Sequence, residues 1–267
     1  MKLHVTTIQL EVSTGNSMEQ RLVQVDDILS KLPRREEPQL IILPELWSCG
    51  YFAFEDYSRC AEALDGATYR LLSGHAQRLQ ALLHGGSIIE ALDDFLFNTS
   101  LLFGASGELL ASYRKIHLFG YQSQEQLLLQ RGETPVVAET PQGVLGLSTC
   151  YDIRFPEVYR FLVDHGAIAF LIVAAWPDTR ISAWRLFNQA RALENQSWVI
   201  SCNCAGSQEG FIYGGNSMVV SPMGEIISEA GLEPGVFTAI IDLGLALEFR
   251  ANYPALADRI GAPRKIL

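Results

Sequence analysis

Gly143-Val-Leu-Gly-Leu-Ser-Thr149 runs straight into Cys150-Tyr-Asp-Ile-Arg-Phe-Pro-Glu157. An apolar run that stops on a cysteine and turns polar reads as a buried strand delivering a thiol to the rim of a sheet. Two other apolar segments stop on chemically capable residues: Leu40-Ile-Ile-Leu-Pro44 on Glu45, and Leu109-Leu-Ala-Ser-Tyr-Arg114 on Lys115. A carboxylate, an ammonium and a thiol at three strand ends supply a proton shuttle, a fixed positive charge and a nucleophile. That is the set required for cysteine-dependent cleavage of an amide. Cys150 taken alone also reads as a packed core thiol, since free cysteine behaves as a small hydrophobe. Arg114 and Lys115 are alternative cations, and adjacent strand residues face opposite ways, so one of the two enters the site.

Outward from this junction, strands are expected at Leu3–Leu10, Leu40–Leu43, Gly86–Glu90 and Asn98–Phe103, the last folding back through Ala105-Ser-Gly-Glu108 into the strand that ends at Lys115. Asn16 with Glu19 resembles a capping box before a helix that runs to Leu32, and a second helix fits Tyr69–Leu83. Beyond the cysteine, a helix with proline in its first turn fits Pro156–Asp164, a buried strand Ile168–Ala175 and an amphipathic helix Ile181–Asn195. Further strands fit Trp198–Cys204, Ser217–Ser221 and Val236–Ile241. Helices alternating with strands and occasional hairpins predict an α/β protein with a mixed sheet. No linker or internal repeat divides the chain, which reads as one domain over residues 1–267.

Leu-Pro-Glu45, Arg-Lys115-Ile-His-Leu-Phe and Cys150-Tyr-Asp-Ile-Arg-Phe-Pro-Glu157 resemble the three signature segments of the nitrilase superfamily of carbon–nitrogen hydrolases. Arg191-Ala-Leu-Glu-Asn195, Asn203-Cys-Ala-Gly206, Gly215-Asn-Ser-Met218 and Pro222-Met-Gly224 follow in the order that superfamily shows. The Cys150 segment is most similar to the Nit2-like branch, which includes ω-amidases acting on α-ketoglutaramate. The resemblance implies a four-layer α-β-β-α sandwich with its site at the strand ends. It assigns Cys150 as nucleophile, Glu45 as general acid–base and Lys115 as the charge facing the oxyanion, aided by the Tyr151 N–H. Glu125, seven residues before Gly132, matches a second glutamate that orients the lysine or positions substrate. Arg154 and Trp176 are candidate substrate-binding residues, Arg154 as partner of a substrate carboxylate or as a brace for its loop. His117 falls outside the catalytic set. Ala183-Trp184, Gly215-Asn-Ser217 and Ser221-Pro222 depart from the superfamily's His-Trp, Gly-His-Ser and Asp-Pro, which leaves the substrate open: a carboxylate-bearing amide first, then an N-carbamoyl compound, deaminated glutathione or a nitrile. A non-catalytic binding protein of the same fold is the reading that loss of a triad residue would favour.

With a net charge of −10, the surface repels polyanions and argues against a nucleic-acid partner. No apolar run approaches the roughly 18 residues of a membrane span, and the N-terminus has no secretory h-region, so a cytoplasmic protein is expected. Five cysteines at irregular spacing read as reduced thiols. Cys202 and Cys204 would share a strand face, but two soft ligands without a histidine at ligand spacing do not make a metal site, and no cofactor is expected. A homodimer or larger closed assembly is expected from the resemblance and from the apolar helix residues Trp184, Phe187 and Leu193.

Overall fold

A computed structural model describes residues 2–260, so the outermost residues of the expected 1–267 domain lie outside the described residues. Twelve of the strands form two six-stranded sheets. One sheet holds β1 (Lys2–Gln9), β2 (Gln39–Ile42), β3 (Leu82–Leu92), β4 (Phe95–Phe103) and β5 (Leu109–Arg114); the other holds β6 (Val136–Thr140), β7 (Gly143–Thr149), β8 (Ala169–Ala174) and β9 (Trp198–Asn203). After a short hairpin, β10 (Ser207–Gln208) and β11 (Phe211–Ile212), the second sheet gains β12 (Met218–Val220) and β13 (Ile226–Glu229). β14 (Gly235–Asp242) then returns to the first. The strand orders are β14-β1-β2-β3-β4-β5 and β13-β12-β9-β8-β7-β6.

The helices are α1 (Met18–Lys31), α2 (Tyr57–Cys60), α3 (Ala67–Leu79), α4 (Glu125–Leu128), α5 (Pro156–Asp164), α6 (Ile181–Asn195) and α7 (Gly244–Asn252). Three apolar layers explain the near-continuous hydrophobic runs of the central strands, which are buried on both faces. Alternate residues of β2 go opposite ways: Ile41 packs with Val25 and Leu29 of α1 and Leu72 of α3. Leu40 and Ile42 pack with Leu145 and Leu171 of the facing sheet. On the far side, Phe170 and Ile172 of β8 meet Leu162 of α5 and Trp184 of α6. The result is the expected α-β-β-α sandwich. A fully buried leucine such as Leu171 contributes about 1.5–3 kcal/mol through burial, and truncating it to alanine costs about 2–5 kcal/mol once the cavity is included.

Strand direction gathers the functional strand ends. β7, β8 and β9 run parallel, so Cys150, Ala175 and Cys204 emerge at one rim. β2 is parallel to β3, and two antiparallel steps make β5 parallel to both, so Glu45 and Lys115 leave the other sheet together. The Glu45 N–H donates to Ala174 O at 3.4 Å and joins the two rims. Beneath it β3 bulges at Gly85–Gly86, where Trp47 Nε1 donates to Gly85 O at 2.8 Å. Gly86 has φ +71, and a Cβ there would lie 2.0 Å from Pro44 O, so glycine is required for this close approach.

Several boundaries differ from expectation. The capping box is Ser17 with Gln20, one residue later than Asn16 with Glu19. The helix expected to reach Leu83 ends at Leu79, because Gln80 takes a left-handed conformation (φ 48) and releases the chain into β3; Leu82 and Leu83 prolonged an apolar pattern without being helical. Gly86 sits inside β3 as a bulge instead of opening it. β6, β13 and α7 were not expected; β6 and β13 are edge strands, where apolar alternation is weakest. Cys202 lies in the layer between the sheets, whereas Cys204, past the end of β9, joins the layer behind the first sheet, so the two do not share a face.

Candidate active site

Cys150 sits where β7 ends and a 3₁₀ turn, Cys150–Arg154, begins. Its backbone is left-handed, φ 50, a conformation that for a non-glycine residue stores about 1–3 kcal/mol and persists where neighbours over-determine it. Asp152 is the anchor. Its carboxylate, fully buried, accepts from Thr149 N–H at 3.0 Å, Tyr113 OH at 2.7 Å and His117 N–H at 3.0 Å, and His117 Nδ1 lies 2.8 Å from it. His117 also stacks on Phe155 at 3.7 Å, which engages it with the turn and not with the thiol.

Behind the thiol lies a buried cluster of charge. Lys115 Nζ donates to Glu45 Oε1 at 2.9 Å and to both Glu125 oxygens at 2.8 and 3.0 Å, and all three side chains are fully buried. Arg114, facing the other way, pairs with Glu90 at 2.6 Å, so Lys115 is the cation that enters. Glu45 Oε2 accepts the Ala175 N–H at 2.8 Å. Glu125 Oε2 accepts the Phe119 N–H at 2.7 Å and the Tyr51 hydroxyl at 3.2 Å. Asn98 Nδ2 donates to Glu45 Oε1 at 2.8 Å and to Glu125 Oε1 at 3.2 Å. Gly132, the landmark for Glu125, lies where a Cβ would stand 2.1 Å from Arg114 O, and its N–H holds Lys115 O at 2.8 Å.

Burial sets the protonation states. It pushes the Cys150 thiol well above its ordinary value, and the Glu45 carboxylate pushes further while Lys115 pulls back. Burial alone would discharge Lys115, but Glu125 and Glu45 outweigh it and hold the ammonium well above the usual lysine range. Burial also raises the Glu125 carboxyl against the pull of Lys115, and the charge of Glu45 adds to the rise. The resting cluster therefore offers a protonated thiol beside a carboxylate and a fixed cation, which suits proton transfer in step with attack.

Cys150 opens into a cavity of about 220 Å³. Its walls are aromatic: Tyr51, Phe52, Phe119, Tyr121, Trp176 and Phe211, with Phe52 stacked on Phe211 at 4.1 Å. The charged lining residues are Arg154 and Arg180. Arg154 lies 5.0 Å from the Trp176 ring, and neither arginine makes an ion pair among the described residues. Arg180 reaches across the mouth to Phe119 and Tyr121, 5.3 and 5.6 Å from their rings.

Glu45, Lys115, Glu125 and Cys150 thus converge, and Tyr151, Arg154 and Trp176 line the cavity. Sequence reasoning missed Asn98, Asp152, Tyr51 and Arg180. Asp152 lay inside the quoted cysteine segment, while Asn98 and Arg180 carried no spacing signal. Trp184 is buried against Trp176, and its Nε1 donates to Asn216 O at 2.8 Å, so the residue that follows one departure from the superfamily pattern, Ala183, holds the backbone of another, Asn216. Among the described residues, no cluster of three or more His, Cys, Asp or Glu side chains could hold a metal ion.

The carbon-nitrogen hydrolase family profile matches residues 4–251, and the chain belongs to that family. It is an enzyme of carbon–nitrogen bond hydrolysis, an amidase by class. Over 97% of its length it is 36% identical to a 2-oxoglutaramate amidase of Paenarthrobacter nicotinovorans, covering 90% of that protein. Among solved structures it is similar to XC1258 of Xanthomonas campestris, a CN-hydrolase superfamily protein with an arsenic adduct in its active site (29% identity, TM-score 0.89, 98% of each chain). It is also similar to Saccharomyces cerevisiae Nit3, of branch 10 of the nitrilase superfamily (28% identity, TM-score 0.84, 95% of this chain and 94% of that one).

Proposed function

We propose that this amidase hydrolyses a small carboxylate-bearing amide of the 2-oxoglutaramate type to the acid and ammonia, through a thioester on Cys150. Glu45 takes the thiol proton as Sγ attacks the amide carbon. The oxyanion of the tetrahedral intermediate meets the Lys115 ammonium and the Tyr151 N–H, whose position early in the 3₁₀ turn leaves it without a partner within that turn. Glu45 returns the proton to the departing nitrogen and ammonia leaves. It then deprotonates a water that attacks the thioester, and the proton goes back to sulfur as the acid is released. Glu125 holds Lys115 in place throughout.

The observation that carries the substrate class is the pocket: an apolar, aromatic cavity lined by two arginines and no carboxylate. The Trp176 ring lies 5.0 Å from the Arg154 guanidinium, and its Nε1 donates to the backbone carbonyl of Arg180 at 2.9 Å. A planar acid of few carbons fits, its carboxylate on Arg154 and its amide at Cys150. The relatives named as 2-oxoglutaramate amidases support the same choice. Ammonia release across 2-oxoglutaramate, glutamine, deaminated glutathione and N-carbamoyl amino acids tests it. The fastest turnover is expected on 2-oxoglutaramate; equal or faster turnover of an N-carbamoyl compound overturns the assignment.

The same reading includes one hydrolase domain, assembly as a homodimer, and residence in the cytoplasm, where five free thiols stay reduced. Trp184 is buried in its own core and contributes nothing to a partner surface. Leu186 and Leu193 of α6, 66% and 54% exposed, support a paired face, with Met223 and Ile227 also exposed on the neighbouring β12–β13 hairpin.

A further inference from the structure

Asn98 is the one member of the buried cluster that neither carries charge nor lines the cavity. It lies on β4 opposite Ile89 of β3, fully buried. Its carbonyl oxygen accepts the Lys115 N–H at 2.9 Å and so places the start of the lysine. Its carboxamide reaches the two acids that the lysine serves. Glu45 Oε1 receives Lys115 Nζ at 2.9 Å and Asn98 Nδ2 at 2.8 Å; Glu125 Oε1 receives the same two donors at 2.8 and 3.2 Å. Four groups close a ring in which two like-charged acids are joined by one cation and one neutral amide.

The orientation of the amide is forced. Asn98 Oδ1 has no hydrogen-bond partner among the described residues, although it is buried. Turning the amide over would give that oxygen no donor and would set it against two carboxylate oxygens, so the unpaired Oδ1 is the lesser penalty. A second lysine here would over-neutralise the pair, and an aliphatic residue would leave Lys115 to serve both acids alone. The amide instead takes a share of both oxygens and relieves the ammonium, which must also face the oxyanion.

We propose that Asn98 is a positioning residue for the reaction: its carboxamide holds Glu45 and Glu125 apart at a fixed geometry and keeps the Glu45 carboxyl directed at Cys150. This rests on the reading of Glu45 as proton carrier. The groups facing Glu45 are Lys115 from the end of β5, Glu125 from α4, Cys150 from the end of β7, Tyr51 and Tyr57 from the segment after β2, and Cys204 and Tyr213 beyond β9. Lys115 and Asn98 are the side chains among them that donate to its Oε1.

The test is the steady-state kinetics of 2-oxoglutaramate hydrolysis by Asn98→Leu, Asn98→Ser and, in parallel, Glu45→Gln. Asn98→Leu preserves shape and removes the donor, and loss of a charge-assisted hydrogen bond is expected to lower kcat roughly 10–100-fold. KM should stay within about twofold, since Asn98 does not touch the cavity. A fall in kcat at unchanged KM, partly restored in Asn98→Ser, is the readout that a merely structural role would not give. Asn98→Ser retains one hydroxyl donor and falls between; being small and polar, it carries the same readout if the leucine variant does not fold. A kcat that stays at the wild-type level in both variants, whatever happens to the melting temperature, overturns the inference, as does a change confined to KM. If Glu45→Gln turns over normally, the proton-carrier reading fails and the inference falls with it. If Glu45→Gln is inactive while the Asn98 variants keep the wild-type kcat, the inference alone fails.

Discussion

At Cys150, burial and then the Glu45 carboxylate push the thiol well above its ordinary value, so the proposed mechanism has its nucleophilicity generated during the reaction. Inactivation by iodoacetamide should therefore keep accelerating past about pH 9, where an ordinary thiol levels off. A plateau near neutral pH, seen by following residual activity, would mean a preformed thiolate. Glu45→Gln retains shape and cannot shuttle a proton, so kcat should fall by at least roughly 10²–10⁴. Lys115→Met deletes a charge worth most in the transition state and should lower kcat/KM by roughly 10²–10³ or more. It also leaves Glu125 buried without its cation, and steady-state kinetics should be accompanied by a melting curve. Cys150, Glu45 and Lys115 were legible in the amino-acid sequence because each ends an apolar run. Asn98 was not, because it lies inside β4, where nothing in the alternation marks a side chain that turns to a charged cluster.

Among the elements, the β3 bulge shows what local sequence could and could not disclose. Gly85-Gly86 was visible as a strand boundary, but the reason for glycine is tertiary: Pro44 O occupies the space a Cβ would fill. Gly86→Ala should both destabilise the protein and displace Glu45, with the melting temperature and kcat falling together and KM little changed. Retention of full activity and stability would show that the bulge has slack. α5 and α6 were legible to the residue, α5 from Pro156 in its first turn and α6 from an apolar period that runs from Trp184 to Leu193 and gives out in Glu194-Asn195. The misplaced end of α3 has the opposite cause: Gln80 adopts the left-handed cap without being glycine or asparagine, so no residue type announced the stop.

At the scale of the whole molecule, two sheets bury strands on both faces and bring five strand ends to one rim, which is why near-continuous apolar runs marked the strands, while the four layers followed from the family resemblance. The packing between sheets, by contrast, depends on which alternate residues face inward, and that separated Cys202 from Cys204 against expectation. Assembly belongs to this scale. Light scattering at micromolar concentration should give a dimer mass, and Leu193→Asp on the exposed α6 face should shift it to monomer while leaving the melting transition cooperative. A monomer in the unaltered protein would remove the dimer and leave the chemistry untouched. The chemistry itself stands on covalent capture at Cys150. Intact mass and peptide mapping of the unaltered enzyme, quenched in acid during turnover of 2-oxoglutaramate, test it most directly: the expected result is an acyl group on the peptide carrying Cys150, at most one per chain, absent from Cys150→Ala and from Glu45→Gln. An acyl group on Cys49, Cys60, Cys202 or Cys204, or its persistence in Cys150→Ala, would contradict it.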